Sequence, residues 1–199
     1  MASKLYFYYG AMASSKSASL LMNVWNYEQQ GKQVILLKPS FDTRSAEGQI
    51  QSRVGISHAA IEFTKEDNLL DIIWSKLQEL HYIDCIFIDE VHFATREQVK
   101  QLTDVVDRLG ISVVAYGLKN SYIDGVMFDS VQELIYQCNS MYEIKSTCQW
   151  CNSKATHHVR LVNDVPVRNG AENIVGDIDG EEKYVSVCRY HYYNIRNQE

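Results

Sequence analysis

The sequence predicts an α/β fold: a mostly parallel sheet flanked by helices, followed by a small C-terminal unit of different composition. Three observations point there. Short β-branched or aromatic runs alternate with longer stretches of helical period up to about residue 145. Two of those runs, Ile83 to Ile88 and Ile111 to Tyr116, are almost wholly apolar, as strands covered on both faces are. After Ser146 the pattern gives way to spaced Cys and His residues, a Gly and Asp-rich loop from Asn169 to Glu182 and an aromatic end.

In order, Leu5 to Tyr9 reads as the first strand. Ser17 to Gln30 carries Leu20, Leu21, Val24, Trp25 and Tyr27 mainly at three-to-four spacing, an amphipathic helix stopped by Gly31. Gln33 to Leu37 is a second strand closed by Lys38 and Pro39, and Ser40 to His58, polar and without period, is expected to be a mobile loop. Asn68 to Leu80 has the broad apolar face of a helix, and Ile83 to Ile88 is a buried strand ending in Asp89 and Glu90. Thr95 to Leu109 is a helix ended by Gly110, and the strand Ile111 to Tyr116 should have helices on both faces. Val131 to Gln137 is a short helix and Ser140 to Ile144 a last core strand. The division expected is 1–145 and 146–199.

The chain has 199 residues, 46% of them hydrophobic. At that size roughly 70% of the unfolded surface can be buried, which excludes disorder over most of the length. The net charge of −6 argues against a protein that tracks nucleic acid by neutralising phosphates, but not against a small anionic ligand. Met1 to Gly10 has no signal-peptide pattern, and no apolar run approaches the roughly 20 residues that cross a bilayer. A soluble, cytoplasmic protein with no membrane partner is expected. Five cysteines in such a compartment stay reduced, which makes their spacing a question about metal.

Gly10, Ala11, Met12, Ala13, Ser14, Ser15, Lys16 and Ser17 follow a strand and open a helix, matching GxxxxGK[ST] except that Ser15 stands where the pattern has Gly. Backbone N–H groups of such a loop curl around phosphate oxygens, Lys16 reaches the β and γ phosphates, and Ser17 offers a hydroxyl to Mg²⁺. If the backbone at 15 is left-handed, Ser costs about 1 kcal/mol there. The expected core is therefore a phosphate-loop domain of the RecA-like kind. Asp89, at the carboxyl end of a buried strand, suits the Mg²⁺ shell. Glu90 is then a spare carboxylate, able to accept a proton from an alcohol or a water.

Cys148 and Cys151 form CxxC, and Cys188 with His191 forms CxxH, with 36 residues between the pairs. That spacing fits a closed tetrahedral structural Zn²⁺ site, which would staple a unit too short for a large core of its own. His157 and His158 read as surface residues of a strand, and Cys85 and Cys138 as buried hydrophobes.

Together these motifs resemble the cytosolic, zinc-containing thymidine kinases. The resemblance covers nearly the whole chain: residues 6–17, Lys38-Pro39 followed by Asp42-Thr43-Arg44, Ile88-Asp89-Glu90, Tyr116-Gly117-Leu118, the paired zinc ligands, and Tyr184 through Val187-Cys188-Arg189 to His191-Tyr192. It implies transfer of the γ-phosphoryl group of ATP to the 5′ hydroxyl of thymidine, with deoxyuridine as a second substrate, in nucleoside salvage for DNA synthesis. It further implies Glu90 as catalytic proton acceptor, and Ser17 with Asp89 around Mg²⁺. ATP is implied to lie between the loop Gly10 to Ser17 and the segment Asp89, Glu90, Val91 and His92. Met12, Leu118, Tyr122, Phe128 and Thr156 fall where the family lines its thymine pocket, and Ile174, Gly176 and Tyr184 in a loop that closes over the base like a lasso. A homotetramer and feedback inhibition by thymidine triphosphate are also implied.

The chain departs from the pattern at Ser15, at His92 where bacterial members usually carry Gln, at Asp177 in the lasso, and at Tyr122 where Phe is common. Read from the residues alone, Met12, Leu118, Tyr122 and Phe128 are also ordinary apolar residues, Tyr184 could pack under the zinc unit, and Arg44 is either a phosphate clamp or a solvated loop residue. Two other functions remain open: a DNA-linked phosphate-loop ATPase, and a non-catalytic zinc-stapled module. Six basic against seven acidic residues in 146–199 make a poor electrostatic footprint for DNA.

Overall fold

The computed structural model describes residues 3–42, 46–167, 170 and 182–194. In chain order its elements are β1 (Leu5–Gly10), α1 (Lys16–Glu28), β2 (Val34–Pro39), β3 (Gln49–Gln51), β4 (Ser57–Ala59), β5 (Ile61–Phe63), α2 (Leu69–Leu80), β6 (Cys85–Ile88), a 3-10 turn over Val91–Phe93, α3 (Arg96–Leu109), β7 (Ser112–Leu118), α4 (Asp129–Gln137), β8 (Ser140–Glu143), β9 (His157–Val162), β10 (Val165–Val167), β11 (Glu182–Val187) and α5 (Arg189–Asn194). Six strands make one parallel sheet in the order β5-β2-β6-β7-β1-β8.

Strand alternation divides the core. Leu5, Phe7, Ile35, Leu37, Ile86, Ile88, Val113 and Ala115 pack with Ile73 of α2, Val99, Leu102 and Val105 of α3, and Val131 and Leu134 of α4. Their neighbours one residue along, Val34, Leu36, Cys85, Phe87, Val114 and Tyr116, pack with Leu20, Leu21 and Val24 of α1. Each buried Leu, Ile or Phe contributes about 1.5–3 kcal/mol. Because side chains of a strand alternate faces, the apolar runs at 85–88 and 112–118 need covers on both sides, and α3 and α1 supply them.

The helix ends follow their sequences. Asn68 caps α2 by accepting from the Leu70 and Asp71 amides. Thr95 and Gln98 form a reciprocal capping box at α3, and Gly110 ends that helix in the left-handed conformation.

Three expectations need correction. The segment from Ser40 to His58 is not without structure: β3 and β4 pair as an antiparallel hairpin. The fully buried Lys38 holds it, donating to Gln49 O at 3.0 Å and pairing with Glu62 at 3.3 Å. The strand at 140–143 is an edge strand with Met141 and Tyr142 exposed, not a core strand. Cys138 is half-buried, whereas Cys85 is fully buried as expected.

After β8 a second sheet forms, β10-β9-β11, antiparallel. Its own small core contains Val159, Leu161, Val185, Val187, Cys148, Cys151, Cys188 and Tyr192. No helix among the described residues is long and apolar enough to cross a membrane.

Candidate active site and metal cluster

The loop between β1 and α1 is built by close backbone approach. A Cβ on Gly10 would meet Ser14 Oγ at 2.3 Å and Ile144 O at 2.6 Å, so only glycine fits beside that carbonyl. Ala13 and Ser15 both have positive φ, 56° and 61°, and Ser15 is left-handed as the motif demands. Lys16 is buried and donates from Nζ to Ala11 O at 2.8 Å, folding its ammonium back over the loop. Met12 packs against the main core.

β6 delivers the facing acid. Parallel pairing with β2 and β7 sets its end beside theirs, and Ser17 Oγ donates to Asp89 Oδ2 at 2.6 Å across 72 residues of sequence. Asp89 also accepts from the Glu90 amide at 3.0 Å. Glu90 is buried with φ 47° and ψ 39°, a left-handed conformation that a non-glycine residue holds only when its surroundings fix it. The chain then turns into the 3-10 segment. Gly117 permits this, since a Cβ there would lie 3.0 Å from Val91 Cγ1 and 3.3 Å from His92 N.

His92 is buried, with Nδ1 3.3 Å from Glu90 Oε2. The Leu118 amide reaches the same nitrogen at 3.3 Å, and Ser130 Oγ donates to His92 O at 2.8 Å. The Val91 side chain is wholly within the core. Phe128 starts α4 with its ring 4.9 Å from that of His92. Leu118 and Phe128 thus both meet His92, two residues beyond Glu90. A cavity of about 360 Å³ lies at the ends of β2 and β5, and Phe93 forms one of its walls.

The C-terminal sheet is tied to this centre. Ser186 Oγ of β11 donates to Met12 O of the phosphate loop, and Tyr192 OH of α5 donates to Tyr122 O at 2.9 Å. Tyr122 and Tyr184 meet edge to face at 5.8 Å, with the Arg160 guanidinium over the Tyr122 ring. Burial raises the Tyr184 hydroxyl to about 12, so it stays protonated and can donate. Thr156 precedes β9; its amide donates to Val187 O and its hydroxyl is 2.9 Å from His157 Nδ1. Ile174, Gly176, Asp177, Thr43 and Arg44 lie outside the described residues.

The expectation that His157 and His158 are surface residues fails for His158, which is 2% exposed. His157 is partly exposed and stacks on Tyr192 at 4.7 Å. The sequence alone assigns no role to Ser186, Tyr192 or Arg160, which the structure brings against Met12 and Tyr122. The signal for His158 and Arg160 was period-two alternation with the apolar Val159 and Leu161.

Cys148, Cys151, Cys188 and His191 come together with their ligand atoms all within 4.8 Å. Cys148 Sγ and Cys188 Sγ lie 3.2 and 3.4 Å from His191 Nδ1, and Cys151 Sγ lies 3.8 Å from Cys188 Sγ. A tetrahedral zinc with thiolate and imidazole ligands has S–S edges of about 3.8 Å and S–N edges of about 3.5 Å, so the donor set fits that ion. Burial works to raise the Cys148 thiol, but hydrogen bonds from the Cys188 and Trp150 amides, His191 and Cys151 bring it down to about 6, the thiolate side of neutrality.

A tight strand-to-helix loop of the phosphate-loop pattern, an acid bonded to its serine and a second buried carboxylate next to it make a centre suited to phosphoryl transfer. A protein-family model described as thymidine kinase matches residues 3–192. The chain belongs to the thymidine kinase family. Thymidine kinases similar to it include that of Shewanella oneidensis, 39% identical over 189 residues, covering 95% of this chain and 96% of that one. The thymidine kinase of Legionella pneumophila strain Lens is 41% identical over 191 residues, 95% and 88% of the two chains. That of Rhizobium etli is 40% identical over 194 residues, 98% and 95%. Thymidine kinase membership makes the chain a transferase, and the matched residues 3–192 span the loop Gly10 to Ser17, Asp89 with Glu90, and the cysteine cluster.

Proposed function

We propose that this chain transfers the γ-phosphoryl group of ATP to the 5′ hydroxyl of thymidine, and of deoxyuridine, supplying the monophosphate for DNA synthesis. The observation that carries the proposal is the Ser17–Asp89 bond with Glu90 next in sequence, because it joins a phosphate-holding loop to a buried carboxylate. The backbone amides of residues 11–17 and the Lys16 ammonium hold the donor phosphates at the start of α1. Ser17 and Asp89 are the residues that would hold Mg²⁺, which arrives with ATP and neutralises charge on the phosphates. Glu90, kept in place by His92, accepts the proton of the 5′ hydroxyl as the new O–P bond forms and the bond to the β-phosphate oxygen breaks.

Residues 1–145 form the nucleotide-binding domain, and 146–199 the zinc-stapled unit that closes over the nucleoside, with Met12, Leu118, Tyr122, Phe128, Thr156, Ile174, Gly176 and Tyr184 as its surroundings. Zinc is structural, since four protein ligands fill its tetrahedron. A cytoplasmic homotetramer inhibited by thymidine triphosphate completes the proposal. The test is ADP release with and without thymidine. Release that requires thymidine supports the kinase, whereas release that requires DNA supports the ATPase instead.

A further inference from the structure

The backbone of Glu90 is pinned on both sides. Its amide donates to Asp89 Oδ1 at 3.0 Å, and its carbonyl accepts from the Phe93 amide at 3.0 Å across the left-handed turn. A glutamate side chain keeps several rotatable bonds beyond such a turn, so a fixed backbone does not by itself aim the carboxylate. His92 reaches that carboxylate: its Nδ1 lies 3.3 Å from Glu90 Oε2. A proton on either atom makes this contact a hydrogen bond.

The imidazole is itself held firmly. His92 is 3% exposed, and its ring lies 4.1 Å from that of Phe93 and 4.9 Å from that of Phe128. The Leu118 amide points to Nδ1 at 3.3 Å, and Ser130 Oγ donates to the His92 carbonyl at 2.8 Å. Gly117 admits the ring, because a Cβ there would stand 3.3 Å from Nδ1. These contacts run to Glu90, β7 and α4. A group locked by packing and by its own hydrogen bonds has little freedom left to lose, which is what the support of a reactive side chain requires.

We propose that His92 is a positioning residue: it holds the Glu90 carboxylate in the orientation that receives the 5′ hydroxyl proton, and acts on the chemical step rather than on ATP binding. The inference rests on the proposed kinase activity. Its test is a double-mutant cycle on kcat, read by radiolabelled phosphate transfer to thymidine. His92→Leu keeps a buried apolar side chain and removes the nitrogen. With Glu90 present it lowers kcat about 10- to 100-fold and leaves the KM for ATP and for thymidine within about twofold. In the Glu90→Gln background the same change lowers kcat less than about twofold, because the carboxylate through which it acts is gone. His92→Gln, whose amide can still reach Oε2, recovers most of the loss. Ser130→Ala removes only the hydroxyl that holds the His92 carbonyl. It lowers kcat about threefold, again only where Glu90 is present, and so reads the same relationship should His92→Leu not fold. Equal kcat losses in the two backgrounds for either variant, a His92→Leu kcat within about twofold of wild type, or an ATP KM raised about tenfold overturns this inference and leaves the kinase activity standing. A wild-type chain that does not phosphorylate thymidine overturns both.

Discussion

Ser17 Oγ donates to Asp89 Oδ2 at 2.6 Å, and this one bond fixes the phosphate loop against the end of β6. Hydrogen bonds to a charged carboxylate contribute about 1.5–3 kcal/mol. Asp89→Asn keeps an acceptor for Ser17 but removes the charge. The predicted result is a folded protein whose kcat falls on the order of 100-fold, about 2.7 kcal/mol of barrier, with a raised Mg²⁺ requirement. Steady-state kinetics across a Mg²⁺ titration measure it, and wild-type kcat would remove Asp89 from the phosphate site.

Ser15 has φ 61° and ψ 29°, where a side chain costs roughly 1–2 kcal/mol. Glycine relieves that strain but loses about 0.5–1 kcal/mol through its freer unfolded chain. Ser15→Gly is therefore predicted to stabilise by about 0.5–1 kcal/mol and to raise Tm by roughly 2–3 °C. Calorimetry checks it; a lowered Tm would mean that the serine hydroxyl contributes more than the strain costs.

The Cys148, Cys151, Cys188 and His191 cluster closes the core under β9 and β11. The protein is predicted to contain about one zinc per chain. Cys151→Ala, or zinc removal by a chelator, is predicted to unfold the second sheet and leave the parallel sheet intact. Activity is lost with it, because Ser186 and Tyr192 no longer hold the phosphate loop and Tyr122. Metal analysis with hydrogen exchange tests this, and full protection of β9 without metal would contradict it.

Burial lowers the His158 imidazole to about 3, with Lys16, His92 and His157 adding to the effect. The unfolded imidazole titrates near 6.5, so between those values only the unfolded chain binds the proton. Stability is unaffected by this group above about pH 6.5 and falls as pH drops below it, by up to about 1.4 kcal/mol per pH unit. Urea unfolding at pH 7.5, 6.0 and 5.0 is predicted to show a shallower pH slope for His158→Phe than for wild type. Both proteins carry the same cysteines, so equal slopes would exclude His158 as the source.

Much of this architecture was legible locally. The runs at 83–88 and 111–116 announce buried strands because their apolar character is continuous, and Gly10 to Ser17 and the cysteine pairs are short patterns whose chemistry follows from spacing. The β3–β4 hairpin was not legible. Its strands have three residues each, with only Ile50 buried, and its anchor is a lysine and a glutamate drawn from β2 and β5. His158 was misread for a related reason: its burial depends on β11 crossing to Met12, 174 residues from Ser186. Alternation revealed the two faces of β9 but not that the polar one is covered.

The central claim is tested most directly by following radiolabelled γ-phosphate from ATP in the presence of each of the four deoxynucleosides, with wild type and Glu90→Gln side by side. The account predicts label on the 5′ position of thymidine for wild type, little on the purine nucleosides, and a loss on the order of 100-fold or more for a Glu90→Gln protein that still binds ATP. Label that never reaches thymidine, or transfer by Glu90→Gln at the wild-type rate, would contradict it.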